Sequence, residues 1–417
     1  MHENGSPFAR VAVTGIGPIT AAGTGVGPFW QGLRRERSPI RRITRFDSTI
    51  WRTNIAAEVD DFDPAAYMDA RLASRLDRFC HFAIAATRLA IEDALLDTSR
   101  LDHDRVAVQM GSALGGAANA EVQAGTLYGG KPRAVDPRVA LTTFVGAASC
   151  VTAIEFGFTG PNSTNAMSCA SGTIAVGEGF RLIREGAADV AVVGGVEAPL
   201  APLCFGAFAL IRAMSTRNAD PEAACRPFDG ARDGFIMGEG ACALILENMD
   251  HAIARGARIY AEVAGYGVTN DAFHMAAPRP DGAQAARAMS IAIRNAGVDP
   301  VDIDFISPHG SSTPINDATE TNAIKAVLGD HAYAVPISGT KPFYAHALGA
   351  SGAIEAAVCC LAMHHGWAPP TLNQSSPDSA CDLDYVPNSG RPIAPRVALS
   401  NSFGFGGINA SLLLTRV

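Results

Sequence analysis

The sequence predicts a layered α/β fold that is built from two similar halves. Short apolar runs alternate with stretches of helical periodicity along the 417 residues, which is typical of sheets covered by helices. Two segments of the first half also recur in the second half, in the same order. The composition agrees with this class, because 48% hydrophobic and 18% charged residues suit a well-packed chain of two or more domains or of one large fused core.

The first predicted strand, Arg10–Gly15, is an apolar run that ends in a glycine turn. A helix over 78–96 is predicted next, because apolar residues recur at helical spacing from Phe79 to Ala90. Further strands are predicted at 106–111, 188–194, 241–247, 258–265, 303–307, 396–400 and 408–415. Further helices are predicted at 172–185, 283–296, 316–328 and 348–364.

Two internal echoes indicate that an α/β unit has been duplicated. The sequence Ala-Ser-Gly-Thr-Ile at 170–174 recurs as Ala-Ser-Gly-Ala-Ile at 350–354, a shift of 180 positions. The segment 238–246 recurs at 406–414, a shift of 168 positions. Chance similarity of small residues explains either echo alone but explains both together poorly. We therefore expect the helices headed by Cys169 and Gly349 to be buried and to face each other across a pseudo-twofold axis.

Charge and composition argue against several classes of function. The net charge of −8 and the lack of a basic run make nucleic acid an unexpected partner. No run of about 18 uninterrupted apolar residues occurs, so no membrane span is expected. The polar residues 1–7 lack the apolar segment of a signal peptide. Nine cysteines at irregular spacing, without a Cys-x-x-Cys pair, predict a reduced, cytoplasmic protein with no disulfide framework and no structural zinc.

Cys169 is the first candidate for chemistry. It lies in Asn165–Thr173, among small residues and directly before a predicted helix. The partial positive charge of a helix N-terminus favours a thiolate over a thiol, and small neighbours let a substrate carbonyl approach the sulfur. The alternative is a buried structural cysteine, which is the usual role of an isolated cysteine.

Three further segments place reactive groups at glycine-flanked ends of strands or helices. His309 follows the apolar run 301–306, where active sites of α/β sheets collect. Lys341 and His346 precede a helix rich in small residues, and 401–407 is a glycine-rich segment after a strand. Each has a structural alternative: a satisfied polar histidine, a solvated lysine or a simple turn. A cysteine, two histidines and a lysine in such positions form a narrower set, which indicates acyl transfer through a thioester.

These segments resemble the β-ketoacyl-acyl carrier protein synthases, the elongating condensing enzymes of the thiolase-like superfamily, and are most similar to the type II subgroup. The resemblance covers essentially the whole chain and includes the motifs at 226–229, 232–240 and 401–409. It implies a five-layered α-β-α-β-α sandwich, in agreement with the duplication. It also implies an N-terminal half, 1–256, that carries the nucleophilic cysteine, and a C-terminal half, 257–417, that carries both histidines, the lysine and the glycine-rich loop.

The resemblance implies a role for each candidate residue. Cys169 would take the acyl chain from an acyl carrier protein, and His309 and His346 would stabilise the enolate formed when malonyl-carrier protein loses carbon dioxide. Lys341 would orient this triad and tune its charge. The backbone N–H groups of Cys169 and Phe405 would form the oxyanion hole, with Phe405 also acting as a gate. No metal and no redox cofactor are implied, because decarboxylation supplies the carbanion.

Further positions are assigned supporting roles by the same resemblance. The residues expected around the catalytic groups are Glu320, Glu355 and Phe235. The residues expected to dock the acidic carrier protein are Arg71, Arg75 and Arg78, for which a solvated helix start is the alternative. The family is dimeric, so a homodimer, or a heterodimer with a synthase-like partner, is expected.

Several positions depart from the family pattern and indicate a specialised branch. They are Pro342 and Ala345 in the lysine segment, Ser311 and Ile408 at usual threonines, and the pair 167–168 before the cysteine. None of them removes a catalytic group. The branch that they suggest is the catalytic ketosynthase of a type II polyketide or polyene pathway, paired with an inactive partner.

Two other functions are alternatives at this stage. A coenzyme A-dependent thiolase would carry a second cysteine in the C-terminal loop, where this chain has Phe403–Gly406. A non-catalytic partner that only shapes a chain-length tunnel would have no need of the complete Cys-His-His set.

Overall fold

The computed structural model describes residues 8–417 and has fifteen strands and twelve α-helices within them. The strands are β1 Val11–Thr20, β2 Gly23–Thr24, β3 Arg41–Arg42, β4 Ile55–Ala57, β5 Val106–Gly111, β6 Asn162–Asn165, β7 Val190–Glu197, β8 Met237–Gly238, β9 Gly240–Asn248, β10 Ala261–Asn270, β11 Phe305–Ser307, β12 Trp367–Ala368, β13 Arg391–Pro392, β14 Val397–Gly404 and β15 Ile408–Thr415. The helices are α1 Val26–Leu33, α2 Ala70–Ala73, α3 Arg78–Asp93, α4 Ala117–Tyr128, α5 Val139–Thr142, α6 Ala147–Phe156, α7 Ser171–Arg184, α8 Pro202–Leu210, α9 Met249–Ala254, α10 Ala283–Ala296, α11 Pro314–Leu328 and α12 Ser351–His365. The polar segment 1–7, which the sequence predicts not to be a signal peptide, lies outside the described residues.

One ten-stranded sheet runs through both halves of the chain. Its order is β11-β14-β15-β10-β1-β9-β7-β5-β6, with β2 pairing to β1. The first four strands of this order come from the second half of the sequence and the others from the first half. The halves join where β1 and β10 pair antiparallel, from Val11 opposite Val263 to Val13 opposite Ala261. The two halves therefore meet within a single sheet.

The helices cover the sheet in the layers of an α-β-α-β-α sandwich. Helix α3 packs on β1 and β9 at the outer face of the first half, and α10 packs on β10 and β15 at the outer face of the second. Helices α7 and α12 lie between the two half-sheets and contact each other. All of Ser351–Met363 in α12 is buried, so this helix belongs to the core. Although α12 is buried along most of its length, no helix within residues 8–417 is both long and apolar enough to cross a bilayer.

The same close packing of helix on strand recurs in both halves. In β1, Gly15 and Gly17 approach α3 so closely that an added Cβ would lie 2.2 Å and 2.0 Å from its backbone oxygens. In β10, Gly265 and Gly267 approach α10 in the same way, with corresponding distances of 2.0 Å and 2.2 Å. Both strands shift register directly before the first of these glycines. This repeated geometry agrees with the duplication that the sequence echoes indicate.

Most predicted elements are present, and several bounds differ. The run 301–306 is not a continuous strand, because Pro300–Asp302 forms a 3-10 turn and β11 is limited to Phe305–Ser307. A proline at the first position favours such a turn, since its φ is fixed. Strand β14 continues past residue 400 to Gly404, so the first part of the glycine-rich segment is strand. The helix predicted over 78–96 ends at Asp93.

Seven helices are not predicted from the sequence, and they are α1, α2, α4, α5, α6, α8 and α9. Helix α4 has no fully buried residue, and α8 is apolar around its whole circumference, so neither shows a distinct apolar face. Two predicted strands also extend further than their pattern suggests, since β1 reaches Thr20 and β10 reaches Asn270. The tertiary pairing of these strands, and not their local composition, determines where they end.

A substitution at Gly172 tests the close contact between α7 and α12. An added Cβ would lie 2.7 Å from the Gly349 oxygen and 2.9 Å from the Ala353 nitrogen, which are backbone atoms with little freedom to move. We expect Gly172→Ala to lower the free energy of unfolding by about 1–3 kcal/mol. The matched control is Gly27→Ala in α1, where an added Cβ has nothing within 4 Å and where stability should be unchanged or slightly higher. Equal stability of both variants in urea denaturation would contradict the tight contact.

Candidate active site

Cys169, His309 and His346 line a single cavity of about 400 Å³. Phe235 and Phe405 line the same cavity. Cys169 is 5% exposed, His309 4% and His346 3%, so the three polar groups are almost removed from water. Across residues 8–417, no cluster of three histidine, cysteine or acidic side chains is placed to hold a metal ion.

The backbone presents Cys169 at a strained turn before α7. Ser168 has a left-handed φ of 50°, which is uncommon and costly for a residue with a side chain. The 3-10 turn Ser168–Ala170 then leads into the helix. In the second half Leu348 has a φ of 42° and begins the equivalent turn before α12. The duplicated unit therefore keeps the strained turn in both halves, and the first half uses it to present a thiol.

Two backbone N–H groups converge beside the sulfur of Cys169. The backbone N–H of Phe405 acts to lower the pKa of the thiol. Gly404 lies so close that an added Cβ would be 3.1 Å from the Cys169 nitrogen. Gly406 and Gly407 follow with φ of 84° and 76°, a conformation that other residues rarely adopt. These glycines leave room for a carbonyl oxygen between the N–H groups of Cys169 and Phe405, which is the arrangement of an oxyanion hole.

The surroundings of Cys169 favour a thiol over a thiolate. Burial raises the pKa of the Cys169 thiol to about 11, and the charge of Glu197 acts in the same direction. A hydrogen bond with Ser168, the charge of Lys341 and the N–H of Phe405 oppose this shift. This direction is opposite to the thiolate expected from the helix N-terminus, and its main cause is desolvation. The sulfur has to lose its proton as it reacts.

The two imidazoles lie edge to face, with ring centroids 5.2 Å apart. Burial and the charge of Lys341 hold the pKa of His309 and of His346 well below 6.5, so both rings are neutral near pH 7. The hydroxyl of Ser351 lies 3.0 Å from Nδ1 of His346. When this hydroxyl donates to Nδ1, the only ring proton is on Nε2, and that atom is a hydrogen-bond donor. Nδ1 of His309 has no partner within the described part of the chain.

Lys341 lies behind the histidines and does not line the cavity. It is 1% exposed, forms an ion pair with Glu355 and donates a hydrogen bond to the backbone carbonyl of His309. Glu320 holds the same turn through its carboxylate, which accepts the N–H groups of His309 and Gly310 at 2.8 Å each. Burial raises the pKa of Glu320 and of Glu355 to about 7. Lys341 therefore contacts the backbone of His309 from outside the cavity.

A row of aromatic rings connects Phe405 with the histidines. Phe405 stacks on Phe208 with ring centroids 6.1 Å apart, and Phe208 meets Phe235 edge to face at 6.0 Å. Phe235 in turn lies edge to face with His346 at 5.4 Å. The sequence analysis did not single out Phe208, because a phenylalanine in an apolar helix carries no distinguishing signal.

Two further polar residues of the site were missed by the sequence analysis. Ser351 is the counterpart of Ser171 in the echo. The repetition of a hydroxyl at the start of both helices is a sequence signal that could have identified Ser351 as a residue of the site. Glu197 ends the fully buried strand β7, and a charged side chain is rarely found in such a place. Its carboxylate contacts Gly349, close to His346 in sequence.

The three arginines expected to dock a carrier protein differ in their surroundings. Arg71 and Arg75 are exposed, whereas Arg78 is partly buried. The Arg78 guanidinium forms an ion pair with Glu239 at 2.8 Å and donates to the carbonyl of Val59. Within residues 8–417, Arg71 and Arg75 have no ion pair, so their charges are available to a partner and that of Arg78 is largely engaged.

Two family models match the chain in succession. The N-terminal domain of the β-ketoacyl synthases matches residues 9–252, and the C-terminal domain matches residues 260–375. The chain belongs to the β-ketoacyl synthase family. It is 46% identical to 3-oxoacyl-[acyl-carrier-protein] synthase 2 of Synechocystis sp., over 97% of both chains. It is 44% identical to putative polyketide β-ketoacyl synthase 1 of Streptomyces cyaneus, over 97% of this chain and 98% of that protein.

Solved structures of other β-ketoacyl synthases share the whole fold. The ishigamide ketosynthase/chain length factor has a TM-score of 0.92 and 38% identity, over 98% of this chain and 100% of that chain. A type II PKS acyl-carrier protein in complex with its ketosynthase, bound to the hexaketide, has a TM-score of 0.90 and 35% identity over the same shares. The predicted thiolase-like sandwich and the resemblance to condensing acyltransferases are thereby confirmed.

Because of His346, the free energy of unfolding should fall as the pH is lowered. The pKa of His346 in the folded protein lies well below 6.5, so below that pH the unfolded chain binds the proton more readily. Relative to His346→Asn, the wild-type protein should therefore lose stability as the pH falls from 7 to 5, by about 2 kcal/mol. Urea denaturation at each pH measures this difference.

The contrasting variant is His103→Asn near the surface. Hydrogen bonds with the carbonyls of Thr98 and Gly157 raise the pKa of His103, so its stabilising effect is present at low pH and lost as the pH rises through the folded-state pKa. Relative to this variant the wild-type protein should gain stability as the pH falls. A flat difference for His346, or one with the sign of His103, would contradict a buried neutral ring.

Proposed function

We propose that this chain catalyses a decarboxylating Claisen condensation in which an acyl chain is held as a thioester on Cys169. One observation carries the assignment. A buried thiol between two convergent N–H groups shares a cavity with the two neutral imidazoles of His309 and His346. A nucleophile, an oxyanion hole and neutral donors are the groups that thioester exchange followed by enolate formation requires.

The first step transfers the acyl chain to the enzyme. The sulfur of Cys169 attacks the carbonyl carbon of an acyl-carrier thioester, and the N–H groups of Cys169 and Phe405 bind the oxyanion that forms. The bond from carbon to the carrier sulfur then breaks. Because Cys169 rests as a thiol, its proton leaves during this exchange and ends on the carrier thiol.

The second step forms the new carbon–carbon bond. Malonyl-carrier protein loses carbon dioxide, and the electron pair of the broken bond passes into an enolate. Nε2 donors of His309 and His346 stabilise the negative oxygen of that enolate, and neutral rings can do so without first losing a proton. The carbanion attacks the acyl carbonyl and the bond to Cys169 breaks, so that a β-ketoacyl chain two carbons longer leaves on the carrier. The released sulfur of Cys169 takes up a proton from water and returns to the thiol.

An acyl carrier protein and a second synthase-like chain are the partners that we propose. One similar ketosynthase was solved in complex with its carrier protein, and another with a chain length factor. The exposed Arg71 and Arg75 offer positive charge to an acidic carrier, and the paired Arg78 contributes less. The working location is the cytoplasm. We propose 256/257 as the boundary between the halves, since it falls in the connection from α9 to β10.

A ketosynthase of a type II polyketide pathway is the second candidate, beside a synthase of fatty acids. The similarity to two such ketosynthases over 98% of the chain favours it. The departures at Pro342 and Ala345 lie in the turn that holds Lys341, and Ala345 has a left-handed φ of 57°. An assay of the isolated chain with carrier proteins separates the two functions. Turnover by this chain alone would favour a fatty-acid synthase, and turnover only with a second synthase-like chain would favour a polyketide ketosynthase. The C-terminal turn has no cysteine, so it lacks the base of a thiolase.

Replacing the nucleophile tests the first step. We expect Cys169→Ala to abolish the acyl-enzyme formed from acyl-carrier protein, because no other group in the oxyanion hole can bear the chain. Intact-protein mass spectrometry measures the adduct. Cys150→Ala, at an exposed cysteine, should keep full labelling. Persistent acylation of Cys169→Ala would show that the nucleophile is another residue.

A histidine variant separates the two steps. We expect His309→Ala to retain acylation of Cys169 and to lose most of the malonyl decarboxylation, by about a hundredfold, since a preorganised donor to the enolate is missing. Release of labelled carbon dioxide measures the loss, and mass spectrometry measures the acylation. Carbon dioxide release at the wild-type rate would contradict the role of this imidazole.

A further inference from the structure

Glu197 holds, in the first half, the place that Gly404 holds in the second. Strand β7 pairs with β9 so that Glu197 is opposite Gly240, and β14 pairs with β15 so that Gly404 is opposite Ile408. Gly240 and Ile408 correspond through the echo of 168 positions. The duplication therefore matches Glu197 with the glycine that lies beside the nucleophile.

The two matched positions differ in whether a side chain fills the space at the helix N-terminus. Gly404 has no side chain, and space is left beside the N–H of Cys169 for a substrate oxygen. Glu197 fills the equivalent space with a carboxylate, which accepts the N–H of Gly349, the counterpart of Cys169, at 2.9 Å. The second half thus retains the counterpart of one N–H group of the proposed oxyanion hole, that of Gly349, and an internal carboxylate occupies it.

The carboxylate of Glu197 is fully buried and has four hydrogen-bond donors. Besides Gly349, these donors are the N–H groups of Ala113 and Leu114 and the hydroxyl of Ser112, at 2.7, 3.0 and 3.1 Å. Burial raises the pKa of Glu197 to about 7, and the donors oppose that shift. The carboxylate is therefore mostly the anion above pH 7.

We propose that Glu197 is a positioning residue for the condensation, whose carboxylate fixes the turn from His346 to Gly349 and sets a negative charge near Cys169. The inference rests on the proposed function. The turn has no slack, because a Cβ on Gly349 would lie 2.7 Å from the Glu197 carboxylate and 2.5 Å from the Ala113 nitrogen. Burial is the main cause of the raised pKa of Cys169, and the charge of Glu197 acts in the same direction.

The first experiment follows the reactivity of the thiol and does not depend on the condensation. Iodoacetamide alkylation of Cys169, resolved from other cysteines by peptide mass spectrometry, is measured between pH 7 and 9 in the full-length protein. With Glu197→Gln the rate–pH profile should move to lower pH by about one unit, since a nearby negative charge is removed. Glu247→Gln, at an equally buried carboxylate bound to Thr14 and Arg255, should leave the profile in place.

The second experiment separates position from charge. Glu197→Asp keeps the charge and shortens the reach by one methylene, so the alkylation profile should stay while malonyl decarboxylation falls by about tenfold or more. Acylation of Cys169 should fall much less. If Glu197→Gln does not fold, Ser112→Ala tests the positioning role of Glu197 instead. This variant removes one of the four donors to the carboxylate and should slow decarboxylation, and an unchanged rate would contradict the role.

The outcomes distinguish this inference from the proposed function. A wild-type protein that forms no acyl-enzyme with any carrier would overturn the proposed function, whatever the alkylation results. An active wild-type protein whose Glu197 variants keep both the alkylation profile and the decarboxylation rate would overturn the role of Glu197 alone. A profile that moves to higher pH in Glu197→Gln would also overturn it.

Discussion

The active site depends on the contact between two helix heads that meet without side chains. Gly172 at the start of α7 and Gly195 in β7 both lie against the carbonyl of Gly349, and neither position has space for a Cβ. This approach brings the turn of Cys169 and the turn that follows His346 into one cavity. Close packing of this kind leaves no room for adjustment, so the distance between nucleophile and imidazole is fixed by the core of the protein.

Desolvation determines the protonation state of the groups that line the cavity. The thiol of Cys169 and the rings of His309 and His346 are all held in their neutral forms, while charged partners lie behind them in ion pairs or hydrogen-bonded turns. Lys341 with Glu355 is the clearest example, because both are about 1% exposed and neither lines the cavity. Neutral donors in a dry site interact strongly with a developing anion, which is what enolate formation needs.

The duplication supplied two similar turns, and their sequences have since taken different roles. Gly404, at the end of β14, lies beside the thiol of Cys169. At the matching position in the other half, Glu197 lies beside Gly349. Both helix heads keep a left-handed φ, at Ser168 and at Leu348. Catalysis and support are thus made from the same local geometry, with the choice of side chain deciding which role each turn performs.

The sequence predicts the class of fold, the duplication, and the candidate residues Cys169, His309, Lys341 and His346, because glycine-flanked motifs and recurring segments are visible without the structure. It predicted a thiolate where the structure favours a thiol, since burial is a property of the surrounding layers. It also missed Phe208, Ser351 and Glu197, whose partners are distant in sequence. Only the tertiary structure decided these points, because desolvation and long-range hydrogen bonds arise when the two halves pack together.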